Sequence, residues 1–241
     1  MRPGVVSWPW TFGGGLSDKP ASGYSIDIHN RDILGLLDHL GLKNVVLLGH
    51  SLGAFISLVF AARNPERVSR LILVDGGGKL NPEQTARVFA GIKTSLERLG
   101  KTFPSFEAYV SILRKAPFLQ PWSEALENYF RYEIEEVPGG VRPRIRPEAI
   151  QEEIVNLTRL DAPLFYPQVR CPVLILRATE GVLYPDDILL PEDVVQRMVR
   201  EIPKARRVDV EGTNHYSILF QDNPARDRAI LQFLEEDVES G

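Results

Sequence analysis

Short apolar runs alternate with amphipathic stretches along this chain. Positions 44–49 read NVVLLG, 70–75 RLILVD, 172–178 PVLILRA and 206–211 RRVDVE, each of strand length. The first three carry almost no polar interruption, which predicts strands buried on both faces, as in a parallel sheet. Between them the apolar spacing turns helical. Ile26, Ile33, Leu36, Leu37 and Leu40 share one face of 25–40, and Val194, Val195, Met198, Val199 and Ile202 one face of 191–202. Positions 51–63 and 225–234 read as helices too. Strands alternating with helices predict an α/β fold with a mainly parallel sheet.

The middle breaks this rhythm. From about 79 to 169 no strand pattern stands out, and 82–99, 105–115, 123–136 and 147–160 read as helices. Some ninety residues between two sheet strands far exceed what one crossover needs. The expected organisation is a core of 1–78 and 170–241 with a helical cap inserted at 79–169. The cap's aromatics, Phe89, Phe103, Phe106, Tyr109, Phe118, Trp122, Tyr129, Phe130 and Tyr132, serve either to line an apolar pocket or to pack the cap onto the sheet.

Composition narrows the class. The 241 residues suit one domain with a large insertion, and 19 Gly and 18 Pro with 44% hydrophobic and 25% charged residues are globular values. With 28 basic and 32 acidic residues the net charge is −4. That argues against a nucleic-acid or anionic-membrane partner. The single cysteine, Cys171, excludes an internal disulfide and a multi-cysteine metal site. It reads as a small packed residue, and its solitude fits a reducing compartment. No apolar stretch has the roughly 18 residues of a membrane span, and no signal-peptide pattern opens the chain. A cytoplasmic protein is expected, monomer or homodimer.

One motif carries chemistry. Gly49-His50-Ser51-Leu52-Gly53 follows an apolar strand and precedes an Ala-containing helix. This is G-x-S-x-G in the strand–turn–helix setting that makes it a nucleophile elbow. The serine must stand on a sharp, strained turn to project above the sheet edge. Close packing at that turn calls for glycine two residues before and two after. The turn also aims the Leu52 N–H at an oxygen that gains charge during acyl transfer, so Leu52 is the expected substrate-binding donor.

A serine hydroxyl needs a base. His29 and His39 lie on the helix before the motif and read as surface or packing residues. His50 reads as a residue that shapes the turn. His215, in Gly212-Thr213-Asn214-His215-Tyr216 after the last strand, lies at the sheet edge where ligands bind in parallel sheets. It is the expected base.

These pieces resemble the α/β-hydrolase superfamily, in its capped serine esterase/lipase-like branch. The resemblance rests on LGLKNVVLLGHSLGA, GLSDKP at 15–20, RCPVLIL and GTNHY, and reaches from about Gly13 to the C-terminus. It implies Ser51 as nucleophile, His215 as general base, and the order Ser…acid…His. It leaves the acid open between two positions. Most such proteins place it after the strand matching PVLILRA in a G-x-x-D pattern, where this chain has Ala178-Thr179-Glu180-Gly181. The nearest carboxylate is then Glu180, with Asp186 and Asp187 six and seven residues further on. The other placement is the end of the preceding strand, Asp75 in LILVDGGG.

The N-terminal side departs from the family. Only 14 residues precede GLSDKP, so the fold is expected to lack its first strands and to expose a sheet edge. No His-Gly pair supplies the second oxyanion donor, whose loss costs about 10²–10³ in rate. Where relatives read D-x-R-G-x-G-x-S, positions 10–17 read WTFGGGLS. A shifted reading frame leaves such a departure; Gly13–Gly15 offering substitute N–H groups, or a partner chain completing the sheet, would compensate for it.

The expected function is cleavage of a carboxylic ester of a small to medium apolar molecule, through an acyl-enzyme and without metal or cofactor. Ser51 argues against epoxide hydrolases and haloalkane dehalogenases, which the resemblance associates with an Asp nucleophile. Lactonases and carbon–carbon hydrolases remain open. The rival is a non-catalytic binding protein or a truncated product, supported mainly by the missing oxyanion loop.

Overall fold

The computed structural model describes residues 16–236. Four parallel strands form one sheet: β1 (Val45–His50), β2 (Val68–Val74), β5 (Val173–Ala178) and β6 (Ala205–Val210), in the order β1-β2-β5-β6. Helices α1 (Ile26–His39), α2 (Leu52–Arg63) and α7 (Glu192–Glu201) cover one face, through Leu37, Leu58, Val195 and Met198. Beyond the one-turn α8 (Ser217–Phe220), helix α9 (Pro224–Glu235) covers the other, where Phe233 packs with Ile72, Val74, Leu174 and Leu176. Cys171 is buried in the first of these cores, and burial pushes its thiol up to about 11.

β2 and β5 are buried, as their apolar runs require, but β1 is not buried on both faces. Among the described residues it has a neighbour on one side only, and Val46 and Leu48 are 41% and 51% exposed. The register pairs Leu48 with Ile72 and Val46 with Arg70, so both exposed side chains stand on the α9 face. α9 reaches Ile72 and Val74 but leaves Val46 and Leu48 uncovered. Among the described residues β1 therefore stands at an edge of the sheet.

Between β2 and β5 lie α3 (Pro82–Leu96), α4 (Phe106–Leu113), α5 (Glu124–Glu133) and α6 (Pro147–Arg159). Asn81 caps α3 with a reciprocal Gln84 box, and Ser105 and Ser123 cap α4 and α5. The segment is not all helical. β3 (Ile134–Val137) and β4 (Gly140–Pro143) form an antiparallel hairpin, and Phe103 bridges to Val141. Helix α5 thus stops at Glu133 instead of running on to 136. The turn is made by Pro138, Gly139 and Gly140, whose glycines adopt φ of 91° and 138°.

This segment has its own core of Tyr109, Leu113, Phe118, Leu126 and Phe130, joined by Val182, Leu189, Tyr216 and Phe220 from loops beyond β5 and β6. It therefore lies over the C-terminal edge of the sheet. A buried pair, His29 with Glu153, fastens α1 to α6. Inside the segment Glu133 takes a bidentate ion pair from Arg98 at 2.7 and 2.8 Å and a hydrogen bond from the Tyr109 hydroxyl. Burial and the Glu133 charge push the Tyr109 hydroxyl far above its ordinary value.

Candidate active site

β1 ends at His50, and Ser51 takes φ 56° and ψ −121° before α2 begins at Leu52. The Ser51 N–H donates to the Val74 carbonyl at 3.1 Å, carrying the parallel ladder one step past the strand. The turn needs close backbone approach. A Cβ on Gly49 would lie 2.1 Å from the Gly53 carbonyl oxygen, and one on Gly76 would lie 2.6 Å from the Ser51 oxygen. Gly53 itself has open space around the Cβ position, so only the first of the motif's two glycines is sterically required. Leu52 is the first residue of α2, and its N–H has no carbonyl one turn earlier within the helix. Gly13–Gly15, the expected substitute oxyanion donors, lie outside the described residues.

Asp75 follows β2 directly and is also left-handed, with φ 45°. Its N–H donates to the Leu176 carbonyl at 2.8 Å, and its Oδ1 accepts from the Ala178 N–H at 3.2 Å. Its Oδ2 accepts from Nδ1–H of His215 at 2.8 Å. Both side chains are buried, with 1% and 6% exposure. A carboxylate can only accept, so this bond puts the proton on Nδ1 and leaves Nε2 of His215 free to take one.

The loop after β6 presents His215. Gly212 turns it with φ 70°, and the Thr213 hydroxyl donates to the Val210 carbonyl at 2.6 Å. Asn214 Oδ1 accepts from the N–H groups of Tyr216 and Ser217, both at 2.9 Å, and its Nδ2 donates to the Phe118 carbonyl at 3.0 Å. Tyr216 packs its ring edge-on to His215, at 5.6 Å, and against Phe118, at 5.1 Å. Its hydroxyl meets Ser95 of α3 at 2.9 Å. Burial pushes the Tyr216 hydroxyl up. Nearby, Ser95, Arg98, Phe103, Tyr109 and Phe118 line a cavity of about 50 Å³.

The candidate residues are thus sorted by geometry. Asp75 is brought onto His215. Glu180 is exposed, and only its backbone is tied, the N–H donating to the Thr213 carbonyl at 2.9 Å. Asp186 pairs with Arg87 at 3.0 Å. Asp187 is buried, and its carboxylate accepts the N–H groups of Val182, Leu183 and Tyr184, which shapes its own loop. Among the described residues Ser51 Oγ has no hydrogen-bond partner; in unliganded sites such contacts often close only around substrate. No group of three or more His, Cys, Asp or Glu side chains that could hold a metal occurs among the described residues. The roles of Asn214, Tyr216 and Ser95 had no signal in the sequence beyond the GTNHY run.

Residues 11–222 match the family model described as the alpha/beta hydrolase fold. This chain belongs to that family. Within the alpha/beta hydrolase fold family, it is 31% identical over 214 residues to 2-(acetamidomethylene)succinate hydrolase of Mesorhizobium japonicum, covering 85% of this chain and 69% of that protein. A crystal structure of E-2-(acetamidomethylene)succinate hydrolase superposes with a TM-score of 0.80 at 28% identity, over 93% of this chain and 79% of that one. An enol-lactonase from Burkholderia xenovorans shares the fold at a TM-score of 0.64 and 20% identity, over 93% and 78% of the two chains. The relatives are hydrolases by name, and this alpha/beta hydrolase is one by the same reading. No helix among the described residues is long and apolar enough to cross a membrane.

Proposed function

We propose that the chain is a serine hydrolase of carboxylic esters, with Ser51 as nucleophile, His215 as general base and Asp75 as its orienter. The observation that carries this reading is the 2.8 Å bond from His215 Nδ1–H to buried Asp75, beside a serine held in a strained elbow. Ser51 Oγ attacks the ester carbonyl as its proton passes to His215 Nε2. The carbonyl oxygen becomes negative and meets the Leu52 N–H, where the α2 N-terminus adds partial positive charge. His215 then returns the proton to the leaving alcohol, and the acyl group stays on Ser51. Water, deprotonated by His215, releases the acid and restores the serine. Every proton in this cycle is moved by His215, so the reaction asks for no cofactor.

The helical segment over the sheet edge acts as a cap that sets substrate size. The cavity beside Tyr216 is small and walled mostly by apolar side chains. A single water needs about 10–15 Å³, so it suits a group of a few heavy atoms. Its one cation, Arg98, is already matched by Glu133. The reading is of an ester of a small to medium apolar molecule, met in the cytoplasm.

Intact mass after incubation with a fluorophosphonate tests the reading without a known substrate. One adduct on wild type and none on Ser51→Ala is expected. Folded wild-type protein that takes no adduct overturns it.

A further inference from the structure

We propose that His50 is a positioning residue for His215, tying the nucleophile's turn to the base's loop. The inference rests on the serine hydrolase reading above. His50 Nε2–H donates to the main-chain carbonyl of His215 at 2.9 Å. The two imidazoles also stack, with centroids 4.3 Å apart and 30° between planes. Because His50 is bonded directly to Ser51, its grip on the His215 backbone fixes how far the nucleophile stands from the base.

The contacts complement the one made by Asp75. A single hydrogen bond at Nδ1 holds one ring atom and leaves the His215 imidazole free to tilt about the Nδ1···Oδ2 line. The stacked His50 ring closes one side of that motion. The carbonyl can only accept, so His50 carries its proton on Nε2. Burial and the neighbouring charge of His215 push His50 well below its ordinary value. His50 therefore stays neutral while His215 gains its proton in the reaction, and the stack never faces two imidazolium ions. In the sequence His50 is only the first variable position of G-x-S-x-G; the structure gives that position a task.

Misplacing a reacting group by about 1 Å costs on the order of 100-fold, so loss of the tie is expected to slow acylation by about 10–100-fold. The experiment follows fluorophosphonate labelling rates for wild type, His50→Ala, His50→Gln and His50→Phe, with melting by circular dichroism and nitrogen NMR of wild-type imidazoles. His50→Ala should label slowly at a near-normal melting temperature. His50→Gln keeps an N–H donor and His50→Phe keeps a ring, and each should recover part of the rate. With an ester in hand, the loss should fall on kcat rather than KM. Wild-type labelling by His50→Ala overturns the proposal, as does equal loss in all three variants. NMR should show His50 neutral with Nε2–H through the range where an ordinary histidine, of pKa about 6.5, titrates. A proton on Nδ1, or ordinary titration, overturns it even if the variants fail to fold. Failure of wild type to label instead sinks the serine hydrolase reading, and the NMR result still decides the role of His50.

Discussion

Ser51 and Asp75 are the two described non-glycine residues with positive φ, at 56° and 45°, and they directly follow adjacent parallel strands. Each such conformation costs about 1–3 kcal/mol. Two of them side by side place strain where the proposed nucleophile and orienter stand. Ser51→Gly should relieve one. After the extra unfolded-chain entropy of glycine, about 0.5–1 kcal/mol, urea unfolding should show stability raised by about 1 kcal/mol while fluorophosphonate labelling disappears. A less stable Ser51→Gly protein would mean the serine is not strained.

The motif's glycines are unequal, and stability measurements should separate them. Gly49→Ala drives a Cβ into the Gly53 backbone, where no side chain can yield. Overpacking of this kind costs about 1–3 kcal/mol, and the shift also moves Ser51. Gly53→Ala meets open space inside helix α2 and should gain about 0.5–1 kcal/mol from helix propensity. Similar melting temperatures for the two variants would contradict the packing at this turn.

Asp75→Asn keeps the shape of the side chain but lets His215 adopt the wrong tautomer. The comparable change in a Ser-His-Asp protease lowers kcat by about 10⁴, and a loss of about 10³–10⁴ is expected here. Glu180→Gln should leave turnover within about twofold of wild type, because the carboxylate is exposed and His215 Nδ1–H is already bonded to Asp75. Turnover of a short p-nitrophenyl ester by both variants checks this. A large loss in Glu180→Gln alone would reassign the orienter.

Much of this was legible in the chain because the signals were local. NVVLLG runs straight into GHSLG, so strand, turn and helix could be read together, and β1, α2, β2, β5 and α7 fall within two residues or so of their expected bounds. The hairpin was not legible. Ile134-Glu135-Glu136-Val137 is too short to show a period of two, and its residues extend the amphipathic pattern of α5; only Pro138-Gly139-Gly140 marked a turn. The tie between Asp75 and Glu180 could not break locally either. Both follow strands, β2 and β5, that are neighbours in the sheet. Which one reaches His215 depends on how the loop after β6 folds back, and that is a matter of three-dimensional packing. The exposure of Val46 and Leu48 was hidden for the same reason: an apolar strand reads alike whether one side or two are covered.

His50 should also leave a mark on stability against pH. Its folded-state value lies below that of the unfolded chain, about 6.5. Between those two values the unfolded state binds more protons, so stability rises with pH across that window. Put the other way, the stability contributed by neutral His50 is complete above about pH 6.5 and is lost as the pH falls towards the folded value. One such group adds a slope of at most about 1.4 kcal/mol per pH unit. His50→Gln cannot titrate and should flatten the wild-type curve by that component, while the rest of the chain is common to both proteins. Urea midpoints of the two proteins from neutral to mildly acid pH give the difference directly. The gap should change in favour of the variant as the pH drops, and parallel curves would mean that His50 titrates alike in the folded and unfolded chain.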